Sequence, residues 1–455
     1  MCGITAIYCE NEELTPSLLY YSLFSLQHRG QESAGISVFK NGTIKTKKGL
    51  GLVSEVIKNS DLKNFESKCG IGHIRYSTSG SSSLENAQPF VVKSKVGTVA
   101  VAHNGNLVNH LRLRKALEAE GSIFVADSDS EIIAHIFSKS LSRKDVIGSL
   151  EVLTNLLIGS YSLVILVNDT VVAYRDPLGF RPLCLGEIEN GYVVASESCA
   201  IDALEGKFLC DVKPGEAVVI KNGEMEKFKV AESKEEASCV FEYIYFARPD
   251  SIIDGISVYD ARKNMGEELA RESPVEADVV SAIPDSGVTA AIGFSMASKL
   301  PYTECLIKNR YVGRTFIMPK QELREVSVRL KVNPIHKNIE GKRIVLVDDS
   351  IVRGTTSKKI VDMIKKAGAK EVHMRIASPP IISPCYFGID MKSREELIAA
   401  NHSVSEIAKI LGVDSLSYLS LDGLLKALKR CGRNKSYCLG CLTAKYPLSW
   451  SEDEK

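Results

Sequence analysis

The sequence predicts two domains of different fold class, an α+β domain followed by an α/β domain. The first half, to about Val230, contains short strand-like runs bounded by Gly, Asn and Asp turns, such as GTVAVAHNG and SYSLVILVNDTVVAYRD. Neighbouring strands joined by short turns, with helical patterns elsewhere, indicate antiparallel sheets layered with helices. In the second half, continuous apolar runs such as IVLV alternate with helical patterns, which is typical of a parallel sheet buried on both faces.

The boundary between the two patterns falls near residue 230. The charged stretch Glu224–Ser238 separates the halves, and we expect it to form a solvated helix or a linker. The predicted domains therefore span residues 2–230 and 231–455. A chain of 455 residues is long enough for two to four domains of ordinary size.

Composition and charge restrict the possible function classes. A formal net charge of +1 argues against a nucleic-acid or membrane role driven by bulk electrostatics. No apolar run approaches the roughly 18–20 residues of a membrane helix, and no secretory signal pattern opens the chain, so we expect a cytoplasmic protein. Because the cytosol keeps thiols reduced, clusters among the twelve cysteines indicate metal binding or catalysis rather than disulfides.

A thiol stands at the second position, in Cys2 of the opening MCGI. Initiator methionine is usually removed before a small residue, which would leave a thiol and a free α-amine on Cys2. An α-amine has a reference pKa of about 7.7–8 and can accept a proton near neutral pH. This is the nucleophile-with-adjacent-base arrangement of enzymes that use their N-terminal residue for covalent catalysis. A small residue that merely leads into a strand would look the same, so the rest of the chain must decide.

The second half contains a loop suited to a phosphorylated sugar. In VLVDDSIVRGTT the apolar strand Ile344–Val347 ends at Asp348 and Asp349, and the loop Ser350–Thr356 leads into a helix. Ligands of open parallel sheets bind beyond the carboxyl ends of the strands, and backbone N–H groups at a helix start form an anion site. The acidic pair suits ribose hydroxyls or a magnesium ion. The stretch lacks the Walker spacing G-x-x-x-x-G-K-[ST].

VLVDDSIVRGTT resembles the signature of the type I phosphoribosyltransferases, which bind phosphoribosyl pyrophosphate (PRPP). The resemblance implies that the paired acids hold the ribose hydroxyls and the metal, and that the following loop binds the 5-phosphate. The segment Lys308–Lys331, with seven Lys or Arg and only two Glu, is similar to the family's mobile loop over pyrophosphate, although a solvated loop would have the same composition. The PRPP-binding residues implied are Asp348, Asp349, Ser350, Arg353, Gly354, Thr355, Thr356, Lys308 and Arg314.

AIPDSG, Ala282–Gly287, resembles the family's pyrophosphate loop. The amidotransferase members usually carry a hydroxyl residue where this chain has Gly287. Ser286 or a backbone carbonyl is therefore the expected third magnesium ligand beside Asp348 and Asp349.

Four further motifs in the first half accompany MCGI: LQHRGQESAGI, GHIRYST, AHNGNL and SDSE. Together they resemble the class II glutamine amidotransferases, whose N-terminal nucleophile domain is an αββα sandwich that hydrolyses glutamine. The resemblance makes Cys2 the nucleophile, with the Asn104 amide and the Gly105 N–H as the oxyanion hole. Glutamine would be bound by Arg75 through its α-carboxylate and by Asp129 through its α-ammonium, with Arg29 shaping the pocket.

Two histidines offer an alternative base. His73 and His103 lie within the same motifs and suggest a Cys–His dyad. Because the α-amine of Cys2 already supplies a base, a structural role for both histidines is favoured.

The cysteines of the second half suggest a metal centre. Cys438 and Cys441 have the C-x-x-C spacing that lets two thiolates reach one centre, whereas Cys239 and Cys385 stand alone in sequence. Four thiolates suit either a structural zinc or an iron–sulfur cluster, and Cys431 is a rival for a ligand position. The arrangement resembles the branch of the amidophosphoribosyltransferases that holds a [4Fe-4S] cluster with cysteines at these four positions, in a structural or oxygen-sensing role.

Both halves together resemble the amidophosphoribosyltransferase family over nearly the whole chain, and KNRYVGRTFI (Lys308–Ile317) in particular is similar to that family. The resemblance implies a pentosyltransferase of purine biosynthesis that uses glutamine, PRPP and Mg²⁺. It also implies a homotetramer inhibited by AMP and GMP, which could occupy the loop Ser350–Thr356. Another glutamine amidotransferase and a PRPP-sensing regulator are the alternatives. The signature at Val345–Thr356 argues against the first, and the intact glutaminase motifs argue against the second.

Overall fold

The computed structural model describes residues 1–77, 80–95, 97–233, 235–309, 332–433 and 435–451. Of the predicted mobile loop, only Lys308 and Asn309 fall within this range, so Arg314 lies outside the described residues. Among the described helices, none is both long enough and apolar enough to cross a bilayer.

The first half is built from thirteen described strands and seven described α-helices. The strands are β1 Gly3–Cys9, β2 Ser33–Lys40, β3 Thr43–Leu50, β4 Cys69–Arg75, β5 Phe90–Ser94, β6 Gly97–Leu107, β7 Gly159–Val167, β8 Thr170–Arg175, β9 Cys184–Ile188, β10 Gly191–Ala195, β11 Lys207–Asp211, β12 Glu216–Lys221 and β13 Glu224–Lys229. The helices are α1 Thr15–Ser25, α2 Val53–Val56, α3 Asn59–Leu62, α4 His110–Ala119, α5 Ser130–Leu141, α6 Val146–Leu156 and α7 Cys199–Asp202.

These strands form two antiparallel sheets, in the orders β11-β9-β10-β1-β4-β2-β3 and β13-β12-β8-β7-β6-β5. Apolar side chains from both sheets, such as Ile4 and Ile71 of the first and Ala102 and Val164 of the second, form one buried layer between them. Helix α1 packs on the outer face of the first sheet, and helix α5 packs on the outer face of the second. The predicted αββα sandwich is confirmed.

The predicted solvated helix or linker at the end of this half is wrong for its first part. Residues Glu224–Lys229 form strand β13, which pairs with β12 at the edge of the second sheet. Its four charged side chains are exposed, and only Met225 and Phe228 are half-buried. The dense charge of an edge strand therefore resembled that of a linker in the sequence.

The second half contains ten described strands, eight described α-helices and one π-helical turn. The strands are β14 Ser238–Cys239, β15 Ile252–Ile253, β16 Ile256–Ser257, β17 Val279–Ala282, β18 Leu306–Lys308, β19 Val332–Pro334, β20 Arg343–Asp348, β21 Glu371–Ile376, β22 Ser415–Tyr418 and β23 Tyr437–Cys438. The helices are α8 Val258–Glu272, α9 Val288–Ser298, α10 His336–Ile339, α11 Thr355–Lys366, α12 Ile398–Asn401, α13 Val404–Leu411, α14 Leu421–Lys429 and α15 Gly440–Thr443. The π-helical turn is Glu242–Phe246.

Strands β17, β20, β21 and β22 form the predicted parallel sheet. Side chains of β20 alternate between two cores: Ile344 and Leu346 pack on the side of helix α11, and Val345 and Val347 pack on the side of helices α8 and α9. Burial on both faces explains why this strand has the uninterrupted apolar run of the sequence. The carboxyl ends of β17 and β20 open into the same cleft.

Candidate active site

Cys2 lies immediately before strand β1, at the centre of the first sheet. Its side chain is buried, and its Sγ lies 3.6 Å from the carbonyl oxygen of Tyr76. The backbone N–H of Cys2 donates to Asn104 Oδ1 at 3.2 Å, and its carbonyl accepts from Arg29 Nε at 2.9 Å. Contacts from three separate segments thus hold the residue in place.

Asn104 and Gly105 lie near the end of strand β6, beside Cys2. Asn104 Nδ2 is fully buried and has no hydrogen-bond partner among the described residues. An unpartnered buried donor is costly, and a developing oxyanion is the kind of acceptor that would satisfy it. Gly105 approaches the paired strand β7 so closely that a Cβ would collide with the carbonyl oxygen of Ser160, so only glycine fits there.

Arg75 and Asp129 lie in the same part of the first domain. Arg75 ends strand β4 and is buried, and its Nη1 donates to the carbonyl of Ser81 at 2.9 Å. Asp129 precedes helix α5, and its Oδ2 accepts the N–H of Leu107 at 2.8 Å. A buried cation and a buried carboxylate close to the thiol suit the two charged groups of an α-amino acid.

His73 and His103 serve the framework of the site. His103 contacts the Ser130 hydroxyl at 2.9 Å and the Ser160 carbonyl at 3.2 Å, and His73 Nε2 contacts the carbonyl of His103 at 3.2 Å. Burial lowers the pKa of both rings, which therefore stay neutral. Among the described residues neither ring hydrogen-bonds to Cys2, which supports the structural role.

Arg29 contacts Cys2 and two buried carboxylates. It is buried, and its guanidinium donates to Glu197 and Glu242 while its Nε donates to the Cys2 carbonyl. Four of its five N–H groups are therefore already used within the protein. Arg29 therefore holds the Cys2 carbonyl, and its part in shaping the glutamine pocket stays a prediction. Sequence reasoning missed its partner Glu242 because that residue lies 213 positions away.

The acid pair follows strand β20, as predicted. Asp348 and Asp349 are 8% and 6% exposed. Burial and the neighbouring charge of Asp349 raise the pKa of Asp348 well above its usual range. Burial also raises the pKa of Asp349, against the effects of the Ser286 and Ser350 hydroxyls and of Arg262. A bound cation would stabilise the ionised form of two adjacent buried carboxylates of this kind.

The loop after the acid pair leads into the N-terminus of helix α11, which begins at Thr355. The side chains of Thr355 and Thr356 are exposed, and the first turn of a helix has free N–H groups, so this loop stays the predicted anion site. Arg353 is ion-paired with Glu396, and Lys308 is ion-paired with Asp285. Both cations therefore have internal partners that an incoming phosphate group would have to displace.

The loop between β17 and α9 explains the unusual Gly287. A Cβ at this position would lie 2.6 Å from the carbonyl oxygen of Val347, so a hydroxyl residue does not fit. The preceding Ser286 instead brings its hydroxyl to Asp349. Ser286 thus takes the position beside the acid pair that the sequence suggested.

One cavity lies between the acid pair and residues of the first domain that neighbour Cys2. It has a volume of about 840 Å³ and contains the acid pair and the loop that follows it. The first domain contributes to its wall near the nucleophile, through Met1, Arg29, Gln31 and Tyr76. From the second domain, Phe241, Arg262 and Met391 line the space between the two ends. The cavity therefore extends from the acid pair to Arg29 and Tyr76, two residues that contact Cys2.

The four predicted cysteine ligands converge. Strand β14 pairs with β23 so that Cys239 lies opposite Cys438, and the backbone of Ser383 donates to the Cys441 carbonyl at 3.1 Å, bringing the Cys385 loop alongside. Burial raises the pKa of Cys239 to about 11, that of Cys438 to about 12 and that of Cys441 well above its usual range, and nearby thiols of the same group add to each rise.

Cys431 does not join this group. Its Sγ contacts the Ala427 carbonyl and the side chain of Asn264, at the end of helix α14. Within the part of the chain that the structure describes, no group of three or more His, Cys, Asp or Glu residues is placed to hold a metal ion.

A cysteine nucleophile on an αββα sandwich and an acid pair on a parallel sheet define a class of protein, a glutamine amidotransferase fused to a phosphoribosyltransferase. Family models agree: residues 73–203 match the glutamine amidotransferase domain, and residues 257–377 match the phosphoribosyl transferase domain.

Relatives match the chain from end to end. The amidophosphoribosyltransferase of Archaeoglobus fulgidus is 65% identical over 100% of this chain and 99% of its own length. That of Bacillus subtilis is 48% identical over 99% of this chain and 95% of its own length. The solved glutamine PRPP amidotransferase from B. subtilis, complexed with ADP and GMP, superposes with a TM-score of 0.90 at 47% identity, covering 99% of this chain and 98% of that one. This chain belongs to the amidophosphoribosyltransferase family and is therefore a pentosyltransferase.

Proposed function

We propose that the chain hydrolyses glutamine at Cys2 and uses the released ammonia to displace pyrophosphate from PRPP, giving 5-phosphoribosylamine. This is the first committed step of de novo purine synthesis. The single observation that carries the proposal is the cavity whose wall contains both the acid pair and the residues Arg29 and Tyr76 that contact Cys2, which would give ammonia a short route. Such a route matters because ammonia that reaches water is largely protonated at neutral pH and loses its lone pair.

At the first site, Arg75 and Asp129 bind the α-carboxylate and α-ammonium of glutamine. The thiol of Cys2 loses its proton to the α-amine of the processed N-terminus, and the sulfur attacks the side-chain amide carbon. Asn104 Nδ2 and the Gly105 N–H stabilise the resulting oxyanion. Collapse breaks the C–N bond and releases ammonia, and water then hydrolyses the thioester to glutamate.

At the second site, Asp348 and Asp349 bind the ribose hydroxyls, and the loop Ser350–Thr356 binds the 5-phosphate. Ammonia attacks C1 with inversion as the bond to pyrophosphate breaks. Asp348, Asp349 and Ser286 fit a magnesium ion because hard oxygen ligands and a buried acid pair suit that cation. When bound, Mg²⁺ would neutralise charge on the pyrophosphate. Lys308 and Arg314 would contact the same group.

Cys239, Cys385, Cys438 and Cys441 fit a [4Fe-4S] cluster. A single zinc ion about 2.3 Å from each thiolate would hold the four sulfurs within about 4 Å of one another. The four thiols lie close enough to interact electrostatically, and the choice of a cluster over zinc rests on the resemblance to the iron–sulfur branch of the family. Anaerobic purification should give iron and sulfide with brown absorbance. Stoichiometric zinc without sulfide would overturn this assignment.

Purine nucleotides are proposed inhibitors of the second site. A nucleoside monophosphate carries the same ribose 5-phosphate unit as PRPP, so AMP or GMP would bind at Asp348, Asp349 and the loop Ser350–Thr356. Inhibition should then be at least partly competitive with PRPP. Failure of saturating GMP to change PRPP-dependent activity would contradict this. A homotetramer is proposed on the resemblance to the family, and light scattering tests it.

The deciding experiment compares wild type with Cys2→Ala, using pyrophosphate release from PRPP and Mg²⁺ as the readout. Each protein receives either glutamine or an ammonium salt at alkaline pH. Cys2→Ala should lose the glutamine reaction and keep the ammonia reaction. Cys210→Ala, a half-exposed cysteine on strand β11, is the control and should keep both. Retention of both reactions by Cys2→Ala would refute the nucleophile, and no release by wild type would favour a PRPP-binding regulator.

A further inference from the structure

Glu242, which opens the π-helical turn Glu242–Phe246, reaches from the second domain into the glutaminase site. Its carboxylate is buried and accepts from both terminal nitrogens of Arg29, at 2.9 Å and 3.0 Å. This bidentate pair fixes the guanidinium in direction as well as position. The same guanidinium donates through Nε to the carbonyl of Cys2. A carboxylate of one domain thus positions the nucleophile of the other through a single intermediate residue.

The other end of the same turn is held by Arg262 of helix α8. Arg262 is buried, and its Nε donates to the Tyr243 carbonyl while its Nη2 donates to the Ala247 carbonyl, both at 2.8 Å. The turn itself is closed by the bond from the Ala247 N–H to the Glu242 carbonyl at 3.1 Å. Single π-helical turns are rare and occur often at functional sites. Here the two hydrogen bonds from Arg262 are the local cause of this conformation.

Arg262 also lies beside the acid pair. It lines the same cavity as Asp348 and Asp349. Burial lowers the pKa of Arg262, and the charge of Asp349 opposes that effect. The chain of contacts is therefore continuous, from the Cys2 carbonyl through Arg29 and Glu242, along the turn, to Arg262 at the edge of the PRPP site.

We propose that Glu242 and Arg262 are positioning residues for glutamine hydrolysis, and that the π-helical turn between them sets the place of Cys2 relative to the acid pair. The proposal rests on the proposed role of Cys2 as the nucleophile. It concerns residues that touch neither glutamine nor PRPP at the reacting atoms. Loss of Glu242 would leave Arg29 with Glu197 as its remaining carboxylate partner and allow it to turn away from Cys2.

The first test is Glu242→Gln, which keeps the size of the side chain and removes its charge. A misplacement of about 1 Å at a reacting atom can cost about 100-fold in rate, so we expect the kcat of glutamine hydrolysis to fall about 10- to 100-fold. The KM for glutamine should change less than about threefold, since Arg75 and Asp129 are untouched, and the ammonia-dependent reaction should stay within about twofold.

Glu268→Gln is the matched control. Glu268 is also a buried carboxylate, held by Arg271, Lys426 and Arg430, but it lies on the far part of helix α8. Removing its charge should lower the melting temperature and leave the kcat of glutamine hydrolysis per folded molecule unchanged. Equal loss of kcat in both variants would mean that Glu242 is only structural and would overturn the proposal.

The second test keeps the proposal falsifiable if Glu242→Gln does not fold. Arg262→Lys retains the charge but loses the fork that holds the Tyr243 and Ala247 carbonyls. It should lower the kcat of glutamine hydrolysis although it lies on the PRPP side. Combined with Glu242→Gln it should be strongly non-additive, because both substitutions release the same turn. Wild-type kcat in Arg262→Lys, or strict additivity in the double variant, would overturn the proposal.

Cys2→Ala, assayed in parallel, separates the two proposals. If Cys2→Ala still hydrolyses glutamine, the assignment of Cys2 as the nucleophile is refuted. If glutamine hydrolysis is lost in Cys2→Ala but normal in Glu242→Gln, only the proposed positioning role of Glu242 is refuted.

Discussion

Asn104→Ala gives the sharpest prediction for the glutaminase site. The side chain makes two contributions that the structure separates: Oδ1 accepts from the Cys2 N–H, and Nδ2 has no partner among the described residues. Removing one oxyanion-hole donor costs about 10²–10³ in kcat, or about 2.7–4 kcal/mol of transition-state stabilisation. We expect a loss of kcat in this range, with a much smaller change in the KM for glutamine.

Asn104→Asp distinguishes the two contributions. It keeps an acceptor for Cys2 but replaces the donor with a negative charge beside the developing oxyanion. The loss of kcat should therefore be at least as large as in Asn104→Ala. Two rates are measured, glutamate formation and ammonia-dependent pyrophosphate release, and the second should stay unchanged in both variants.

Asn109→Ala is the control for stability. Asn109 is equally buried, but its amide is fully used, donating to the Leu156 carbonyl and accepting from the Ile158 N–H. This variant should melt at a lower temperature and keep its kcat per folded molecule. The reasoning is refuted if Asn104→Ala keeps glutamine hydrolysis within about fivefold of wild type, since a donor loss should exceed that.

Three further predictions follow from the second domain. Gly287→Ser should lower the melting temperature and raise the KM for PRPP, because its Cβ would meet the Val347 carbonyl and overpacking costs about 1–3 kcal/mol; an unchanged melting curve would contradict the close approach. The raised pKa of Asp348 means that the metal-free protein loses stability as pH rises through that pKa, so Mg²⁺ should raise the melting temperature more at pH 7 than at pH 5, and Asp348→Asn should abolish the difference. Cys438→Ala should abolish iron and sulfide content whereas Cys431→Ala should leave both intact; equal loss in the two variants would move Cys431 into the cluster.

The parts of the site that the sequence predicts well are those in which neighbours in the chain are neighbours in space. Asp348, Asp349 and the loop that follows them form one continuous segment at a strand end, so the sequence alone shows these residues together. Element boundaries are less visible in the sequence: strand β6 extends to Leu107 and carries Asn104 and Gly105, so helix α4 begins only at His110.

Long-range contacts account for what the sequence could not provide. Nothing in the sequence around Arg29 pointed to its partner Glu242. The charged edge strand β13 looked like a linker for a related reason, since its pairing partner β12 decides its conformation. Charge type and local spacing are visible in a sequence, but the partner that neutralises a charge is not.

These contacts cross the predicted boundary between residues 230 and 231. The boundary was predicted from a change of fold pattern, but residues on both sides of it contribute to the glutaminase site. Glu242 holds Arg29, and through it Cys2, from beyond that boundary. The oxyanion strand is held from the same side, since Asn106 Nδ2 donates to the Tyr386 carbonyl at 2.9 Å and the Ser160 hydroxyl donates to the Phe387 carbonyl at 2.8 Å. The second domain, which uses the ammonia, therefore holds in place both the proposed nucleophile and the proposed oxyanion hole. If the geometry of the glutaminase site depends on the second domain, ammonia is released only where the acceptor site is already assembled. An interdomain cavity can serve as a route for ammonia only under that condition.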